Sequence, residues 1–363
     1  MRGSERVLPS TSSKRKKQPS KPLTQSYTQS CSAKGSFFCS CQNRNSTPSL
    51  AVFLAVNKEV LPDSPLYTST PTNQPGYMTQ KVWFITGCST GFGRALAQVA
   101  TAKGDKVAGT LRKKEQFEAF EALSPGNIKA ILMDVTNPDQ VKAGVQEVLD
   151  TFGRIDVLVN NAGYGSMGPI EEVSDAEVRR QFDVNVFGAL DVTRQVLPHM
   201  RKQRSGHIIN ITSIAGIQGF PGVGIYNGSK FALEGIGEAL AAEVKHLGIK
   251  VTNVEPGPFR TEWAGSSATF TKPAIEDYAE GAGVNIHAIE SRSGKQVGDP
   301  VKGAVAMYQL TTLDEPPVHL PLGGPAYNRV RSKTEWYNQE VDAFEYLGKP
   351  TDYNEEELKS LDS

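Results

Sequence analysis

Short runs of apolar residues alternate with helical patterns through most of the chain. The runs that predict strands span residues 81–86, 106–110, 128–133, 155–159, 207–211, 249–254 and 318–322. Most of them are apolar nearly throughout, which is typical of strands that are buried on both faces of a parallel sheet. Pro321 places the last run at a sheet edge, because proline cannot donate a hydrogen bond to a neighbouring strand.

The segments between these runs repeat apolar residues at helical spacing. One helix is predicted after Gly93, one includes Tyr226 and one begins at Asp299. Further helices are predicted over residues 115–123, 139–152, 174–203 and 326–346. The helix over 174–203 is expected to break near Gly188 or Pro198. Strands that alternate with helices in this way predict an α/β fold, a single doubly wound parallel sheet with helices on both faces. Such sheets bind ligands at the carboxyl ends of their strands.

Residues 1–77 differ from the rest of the chain. They are rich in Ser, Thr, Pro and Gln and carry ten basic against three acidic residues, a net of +7. This composition predicts a disordered basic extension, with an organelle transit peptide as the alternative and a segment absent from the mature protein as a third. We expect the compact part to begin at Met78 and extend to about residue 350, followed by an acidic tail over 351–363.

Charge and cysteine usage exclude several classes for the remainder. The whole chain is formally neutral, so the part beyond residue 77 carries −7 and shows no basic surface for nucleic acid. Only one of four cysteines lies there, which excludes a disulfide framework and favours a cytoplasmic location, with organelle import as the alternative. The five histidines lack ligand spacing, so we expect no metal site. No apolar run is long enough to span a membrane.

A glycine-rich turn connects the first predicted strand to the first helix. It reads Thr86-Gly87-Cys-Ser89-Thr-Gly91-Phe92-Gly93. Glycines allow the backbone to approach a phosphate closely, and the free N–H groups at a helix N-terminus favour negative charge. The turn therefore predicts a site for the pyrophosphate of a dinucleotide.

The ends of the next strands predict which dinucleotide binds. An acid about 20 residues after the glycines usually holds the ribose of NAD, but Arg112 and Lys113 occupy that region here. A basic residue suits a 2′-phosphate, so NADP is favoured over NAD. Asp134 ends the third strand and either accepts a hydrogen bond from adenine or caps the following turn. Small and amide residues follow the fourth strand, where the cofactor would lie close: Asn161, Ala162 and Gly163.

Tyr226 and Lys230 are one helical turn apart, at the start of a predicted helix. An ammonium beside a phenol favours phenolate and lowers the tyrosine pKa, which would suit it to proton transfer near neutral pH. Ser213 ends the strand before this helix and could reach the same substrate oxygen. Asn185 lies among apolar residues, where an amide normally makes structural hydrogen bonds.

Residues 80 to about 261 resemble the short-chain dehydrogenase/reductase family, in its compact single-domain branch with a Rossmann-type sheet. The matching positions are Thr86-Gly-x-x-x-Gly91-x-Gly93, Asp134, Asn160-Asn-Ala-Gly163, Asn185, Ser213, Tyr226-x-x-x-Lys230 and Pro256-Gly257. A looser resemblance, to the retinol and 17β-hydroxysteroid dehydrogenase-like oxidoreductases, covers the part that follows. None of the matching positions departs from the family pattern, so the resemblance implies an active enzyme.

The resemblance also implies a role for each residue. Tyr226 would be the general acid in ketone reduction and the base in alcohol oxidation, and Lys230 would hold the nicotinamide ribose and lower the Tyr226 pKa. Ser213 would stabilise charge on the substrate oxygen, and Asn185 would hold a water behind Lys230. Pro256, Gly257 and Thr261 would position the nicotinamide carboxamide. Members often form homodimers or homotetramers through the helices that carry Asn185 and Tyr226.

Residues 262–297 contain aromatic side chains scattered among Gly, Ser, Ala and Pro. This pattern predicts a partly helical flap beside the site, which would decide the substrate. Together these observations predict an NADP-dependent oxidoreductase that acts on a lipophilic ketone or secondary alcohol. The alternatives are a non-catalytic protein of the same fold that senses NAD(P), and a sugar-nucleotide epimerase, which would need a larger carboxyl-terminal domain.

Overall fold

The structure, a computed structural model of the chain, describes residues 80–265 and 267–362. The predicted basic extension over 1–77 lies outside the described residues, and its three alternatives remain predictions. In the part that is described, no helix combines the length and apolarity that crossing a bilayer requires.

A parallel sheet of seven strands forms the centre of the described chain, in the order β3-β2-β1-β4-β6-β7-β9. Its strands are β1 (Val82–Ile85), β2 (Lys106–Leu111), β3 (Ile128–Leu132), β4 (Val157–Asn160), β6 (Gly206–Ile211), β7 (Ile249–Pro256) and β9 (His319–Leu322). Two further strands, β5 (Gly165–Met167) and β8 (Ala268–Phe270), pair in parallel beside it. The order reverses between β1 and β4, and such a reversal opens a crevice at the carboxyl ends of the strands.

Helices cover both faces of the sheet. They are α1 (Gly91–Ala102), α2 (Phe117–Glu121), α3 (Pro138–Phe152), α4 (Asp175–Phe182), α5 (Ala189–Gln203), α6 (Gly224–Val244), α7 (Val284–Ser291), α8 (Pro300–Leu310), α9 (Gly324–Gly348) and α10 (Glu355–Leu361). One apolar cluster packs α1, α2 and α8 against the sheet, and a second packs α3, α5 and α6 against the other face. Both faces are therefore buried, as the unbroken apolar runs predict.

Local sequence explains where several helices begin and end. Asn137 and Asp299 accept hydrogen bonds from backbone N–H groups of the first turns of α3 and α8, and proline is the first helical residue in both. Gly153 ends α3 with φ of 79°, a conformation that glycine adopts without strain. Trp83 in β1 stacks on Tyr308 of α8 with ring centroids 5.6 Å apart, and this contact fixes the helix on the sheet.

The break expected near Gly188 or Pro198 occurs as a π-helical turn at Asp183–Gly188, and Pro198 lies within α5. The predicted elements otherwise agree with the structure, with three differences. The short strands β5 and β8 were not predicted. The helix predicted over 115–123 is a 3₁₀ turn, Lys114–Gln116, followed by the short α2. The acidic tail contains α10, for which Asn354 and Glu357 form a capping box. Pro321 lies in β9, which is an edge strand as predicted.

Candidate active site

A glycine-rich turn joins β1 to α1 and forms one wall of a cavity of about 950 Å³ along the carboxyl ends of the strands. Gly87 and Gly91 have φ of 72° and 59°, which require glycine. The turn is fixed to β2, because the Gly87 and Cys88 amides donate to the hydroxyl and carbonyl oxygens of Thr110. No side chain caps the N-terminus of α1, so its N–H groups are available to an anion.

The third glycine of the turn, Gly93, is the most tightly confined. A Cβ atom at this position would collide with the Gly87 carbonyl oxygen and lie 2.6 Å from the Asn161 Nδ2 atom. Asn161 in turn donates to the carbonyl oxygens of Thr86 and Gly87, each at 2.8 Å. The predicted glycines and the predicted amide therefore form one rigid cradle. Its shape and its unpaired N–H groups fit the pyrophosphate of NAD(P).

The predicted residues of the adenosine end lie along the same cavity. Ser89, Phe92, Arg112, Asp134, Ala162 and Gly163 all line it. Arg112 also borders a smaller adjoining pocket with Ser89, Lys113 and Gln116, and is exposed. Asp134 Oδ1 accepts hydrogen bonds from the Thr136 amide and hydroxyl, which is the turn-capping alternative of the two that the sequence leaves open.

Pro256, Gly257 and Thr261 line the cavity beyond the end of β7. The Gly257 amide donates to the Leu322 carbonyl oxygen at 3.0 Å, which fixes this turn to β9. Thr261 faces the glycine-rich turn, since a Cβ on Gly91 would lie 3.4 Å from the Thr261 Cβ. The glycine-rich turn and the segment after β7 therefore face each other across the crevice.

Ser213, Tyr226 and Lys230 come together at the carboxyl end of β6, and all three are buried. Ser213 follows β6 directly, while Tyr226 and Lys230 lie on the first turns of α6. The Lys230 Nζ atom donates to the Ile211 carbonyl oxygen at 2.7 Å and lies 5.8 Å from the centre of the Tyr226 ring. The structure therefore brings the three predicted side chains to one wall of the cavity.

The electrostatics of this group differ from the expectation in one respect. Burial raises the pKa of Tyr226 to about 12, although its hydrogen bond with Ser213 acts in the opposite direction. The sequence predicts a pKa lowered by the Lys230 ammonium, whereas in the structure desolvation of the phenolate moves the pKa in the opposite direction. Burial also lowers the pKa of Lys230, to about 8, opposed by the carboxylate of Glu234. Tyr226 is consequently a protonated donor at neutral pH.

Asn185 lies in the π-helical turn and does not line the cavity. Its Nδ2 atom donates to the Tyr164 carbonyl oxygen at 3.0 Å and to Ser229 Oγ at 3.2 Å, and its Oδ1 atom accepts from the Tyr164 amide. A Cβ on Gly163 would lie within 4 Å of both Asn185 Oδ1 and Lys230 Nζ. Asn185 therefore lies near Lys230, and its amide makes the structural hydrogen bonds expected of a buried polar group.

A ladder of buried side-chain amides crosses the sheet at this edge, which the sequence analysis did not predict. Asn160 donates to Asn210, Asn210 to Asn253, and Asn253 to Glu234, at 2.9, 3.0 and 2.7 Å. Each asparagine lies on a neighbouring strand, and Glu234 is one helical turn beyond Lys230. The signal in the sequence was an asparagine at a corresponding position in each of β4, β6 and β7.

The substrate side of the cavity depends on residues that motifs do not reveal. Trp263 lies over Tyr226 with ring centroids 5.0 Å apart, and Phe220, Val223 and Ile289 also line the space. Asn227 holds the loop that carries Phe220, because it donates to the carbonyl oxygens of Ala215 and Gln218 and accepts from the Phe220 amide. Trp263 lies in the segment 262–297, in which the sequence predicts a substrate flap.

Among the described residues, one group of side chains has the spacing of metal ligands. It consists of Glu234, Glu255 and His319, whose nearest ligand atoms lie within 4.8 Å of one another. His319 Nδ1 is 2.9 Å from Glu255 and 3.5 Å from Glu234, so the imidazole itself pairs with both carboxylates. The sequence did not predict this group, because its members are distant in the chain.

Comparison with known proteins agrees with this geometry. The short chain dehydrogenase family model matches residues 81–271. The oxidoreductase BOA17 of Botryotinia fuckeliana is 38% identical over 68% of this chain and 90% of its own length. The 3-ketodihydrosphingosine reductase of Bacteroides thetaiotaomicron is 38% identical over 68% of this chain and 89% of its own length. The NADPH-dependent 3-dehydrocapnine reductase of Ornithobacterium rhinotracheale is 36% identical over 54% of this chain and 72% of its own length.

Solved structures show the same fold. A short-chain dehydrogenase from Streptomyces avermitilis is 39% identical, with a TM-score of 0.72 over 76% of this chain and 99% of its own. ElxO with NADP bound is 28% identical, with a TM-score of 0.58 over 69% of this chain and 99% of its own. The chain therefore belongs to the short-chain dehydrogenase/reductase family and is an NAD(P)-dependent oxidoreductase.

Proposed function

We propose that the protein is an NADP-dependent reductase of a lipophilic ketone, which would also oxidise the corresponding secondary alcohol. The observation that carries this proposal is the position of the Ser213 and Tyr226 hydroxyls. Both lie at the wall of a cavity that has a phosphate cradle at one end and aromatic and aliphatic side chains at the other. A carbonyl oxygen that reaches the two hydroxyls would have its carbon facing the nicotinamide end of the crevice.

In the direction of reduction, Tyr226 would be the proton donor. NADPH supplies the hydride when it is bound, and the oxygen that gains negative charge then needs a proton. Tyr226, with its pKa raised to about 12, holds that proton at neutral pH and donates it. The Ser213 hydroxyl stabilises the developing charge, and the Lys230 ammonium holds the ribose and offsets the phenolate that forms.

Arg112 supports the choice of NADP. It is exposed, borders the pocket next to Ser89, and stands where NAD-binding proteins usually have an acid. The 3-dehydrocapnine reductase is named as NADPH-dependent, and ElxO was solved with NADP bound. Arg112→Asp should raise the Michaelis constant for NADPH by about 10- to 100-fold, the range of one charged hydrogen bond lost to the phosphate. Lys114→Asp, outside that pocket, is the control, and equal effects of the two variants would refute the assignment.

The apolar side of the cavity supports a lipophilic substrate. Phe220, Trp263 and Ile289 form that side, and binding sites of this kind exclude water from the substrate. Two relatives carry names that specify ketone reduction, of 3-ketodihydrosphingosine and of 3-dehydrocapnine. We therefore propose a ketone with an extended aliphatic or ring-containing part, and residues 262–297 as the segment that selects it.

The test is turnover of a panel of ketones with NADPH by the wild type and by Tyr226→Phe. The variant should lose turnover by at least about 100-fold, because general acid catalysis contributes roughly 10²–10⁴-fold, while its affinity for NADPH stays within about twofold. Full turnover by Tyr226→Phe would refute the mechanism. Tight NADPH binding without turnover of any ketone or alcohol would instead support the alternative, a non-catalytic protein that senses NAD(P).

A further inference from the structure

The cavity at the carboxyl edge of the sheet is basic, although the chain that forms it is acidic. Six basic and two acidic side chains line the cavity, whereas the chain beyond residue 77 carries a net charge of −7. The basic ones are Arg112, Arg180, Lys230, Arg292, Lys295 and Arg329. The cofactor and the catalytic group account for Arg112 and Lys230, which leaves four cations without an assigned ligand.

Two of these four, Arg292 and Lys295, lie toward the cofactor end of the cavity. Both precede Gln296, whose carbonyl oxygen accepts a hydrogen bond from Arg260 at 2.5 Å. Thr261, the next residue, faces the glycine-rich turn that forms the phosphate cradle. The two cations therefore contribute to the positive potential around the cofactor phosphates.

Arg180 has carboxylates beside it. Its Cζ atom lies 5.6 Å from the centre of the Tyr164 ring. Glu177 and Asp183 are three residues before and after it on one helical stretch, which places each of them about one turn away. An anion that approached Arg180 would meet these two negative charges as well.

Arg329 is the remaining cation, and its surroundings contain no such acid. It lies in the second turn of α9, and the chain has no acidic residue between Glu315 and Glu335. Within the part of the chain that the structure describes, no carboxylate forms an ion pair with Arg329. Arg331 and Lys333 add to the positive potential of this turn. Arg329 is consequently the cavity-lining cation best placed to bind an anionic ligand.

Contacts with a neighbouring loop hold the Arg329 guanidinium at the cavity. Its Cζ atom lies 5.5 Å from the centre of the Phe220 ring. Asn227 fixes the loop that carries Phe220, and Asn285 donates to the carbonyl oxygen of Pro221 at 2.8 Å. A guanidinium that packs on a ring uses its face for that contact, and its N–H groups at the edge remain able to donate.

An apolar wall connects Arg329 to the catalytic hydroxyl. Phe220, Val223 and Tyr226 belong to one apolar cluster, and all three line the cavity. Val223 and Tyr226 are buried, whereas Arg329 is exposed. A ligand whose carbonyl oxygen meets Tyr226 can therefore extend over Val223 and Phe220 and place its far end at the Arg329 guanidinium.

We propose that the substrate is an anionic ketone and that Arg329 binds its anion. An apolar part of the substrate separates the carbonyl group from a carboxylate, sulfonate or phosphate. The inference rests on the proposed function and deepens it, because it adds a charged end to a lipophilic ketone. The planar guanidinium matches two oxygen atoms of such a group, and one charged hydrogen bond of this kind changes affinity by about 10- to 100-fold.

Matched pairs of ketones test the inference. The two members of a pair share one carbon skeleton, and one ends in a carboxylate, sulfonate or phosphate while the other ends in the uncharged amide or ester. With NADPH, the wild type should reduce the charged member with a kcat/KM at least about tenfold higher for one or more of the three anions. This ratio should fall as salt concentration rises, because salt screens an exposed arginine.

Variants of Arg329 test which residue carries the preference. Arg329→Gln should bring the ratio of the charged to the uncharged member to about one. Arg329→Lys keeps the charge without the planar donors and should give an intermediate ratio. Arg331→Gln is the matched control, since this exposed arginine of the same helix does not line the cavity, and it should keep the wild-type ratio. Partial misfolding of a variant lowers both rates alike and leaves the ratio unaffected.

Three results would overturn the inference. Equal kcat/KM for charged and uncharged members in the wild type would remove the anion site while leaving the proposed function intact. A wild-type ratio in Arg329→Gln would move the anion to another residue. Weaker NADPH binding by Arg329→Gln with an unchanged ratio would place Arg329 at the cofactor. Turnover of no ketone at all would instead overturn the proposed function, and this inference with it.

Discussion

The carboxyl edge of the sheet and the carboxyl-terminal part of the chain are built in opposite ways. At the sheet edge, Ser213, Tyr226 and Lys230 are buried, and hydrogen bonds to neighbouring strands and turns fix their surroundings. In the carboxyl-terminal part, residues 262–297 form short helical turns, the three-residue strand β8 and the short helix α7, before α8 and β9 return the chain to the sheet. The first region has little freedom to vary without losing its chemistry. The second can change its side chains while the sheet remains intact.

This difference separates reaction type from substrate choice. The edge contains the groups that a proton and hydride transfer requires, while Trp263 and Ile289, which border the same cavity, come from the carboxyl-terminal part. A rigid scaffold with variable loops is the usual way in which one fold serves many substrates. Substitutions in the two regions should therefore differ in kind as well as in size.

The largest effect is expected at Lys230. Lys230→Met should lower kcat by about 10²–10⁴-fold, because the ammonium that holds the ribose and offsets the phenolate is lost. The same change should raise the melting temperature at pH 7, since burial lowers the pKa of Lys230 to about 8 and the charged form is costly there. Steady-state kinetics and thermal unfolding on one preparation check both. A variant that loses stability together with activity would contradict this account.

A smaller effect is expected on cofactor binding, from a substitution in the phosphate cradle. Gly93→Ala should weaken NADPH binding by at least about tenfold, because its methyl group collides with the Gly87 carbonyl oxygen and overpacking costs roughly 1–3 kcal/mol. Gly281→Ala is the matched control, since a Cβ there meets nothing within 4 Å. Calorimetric titration with NADPH measures both. Equal losses would show that the cradle is not specially constrained.

Trp263 belongs to the carboxyl-terminal part, so its substitution should change substrate choice. Trp263→Ala should raise KM for the preferred ketone by about tenfold, the effect of losing apolar contact in a pocket, and leave NADPH affinity unchanged. Competition between a bulky and a small ketone measures the change in preference. An equal loss of kcat/KM for both would assign Trp263 to the chemistry through its contact with Tyr226, and not to substrate choice.

The smallest effect is a pH dependence that originates in the buried sheet. Burial lowers the pKa of His207 to about 3, helped by Lys250 and Lys81. The unfolded chain binds a proton near the ordinary histidine pKa of about 6.5 while the folded chain does not, so this group lowers stability as pH falls. Between pH 8 and 6 its share is roughly 1 kcal/mol. Chemical denaturation of the wild type and His207→Gln should show this difference in pH dependence, and parallel curves would exclude it.

The same contrast explains what the sequence could predict. The sequence predicts Gly93, Arg112 and Tyr226 because each depends on local structure. Gly93 lies in a tight turn, Arg112 follows a strand end, and Tyr226 is one helical turn from Lys230. The sheet follows from apolar runs of the right length. The pKa of Tyr226 cannot be predicted in this way, because it depends on how deeply the tertiary fold buries the phenol.

The parts that sequence reasoning missed share long-range origins. The ladder from Asn160 to Glu234 needs strand order and register, and the group of Glu234, Glu255 and His319 needs β9 to return beside β7. The length of α9 was nearly correct, but its exposure could not be known, because an amphipathic pattern predicts a buried face without saying what buries it. Element bounds shifted by a few residues where 3₁₀ and π turns replace regular helix.

Deuterium transfer tests the central claim most directly. NADPH that carries deuterium at the transferring position of the nicotinamide should be incubated with a ketone that the protein turns over, and the alcohol product analysed by mass spectrometry and NMR. The account predicts one deuterium on the carbinol carbon in the wild type and at least about 100-fold less of that product with Tyr226→Phe. Deuterium released to water, or labelled alcohol formed equally well by Tyr226→Phe, would contradict it.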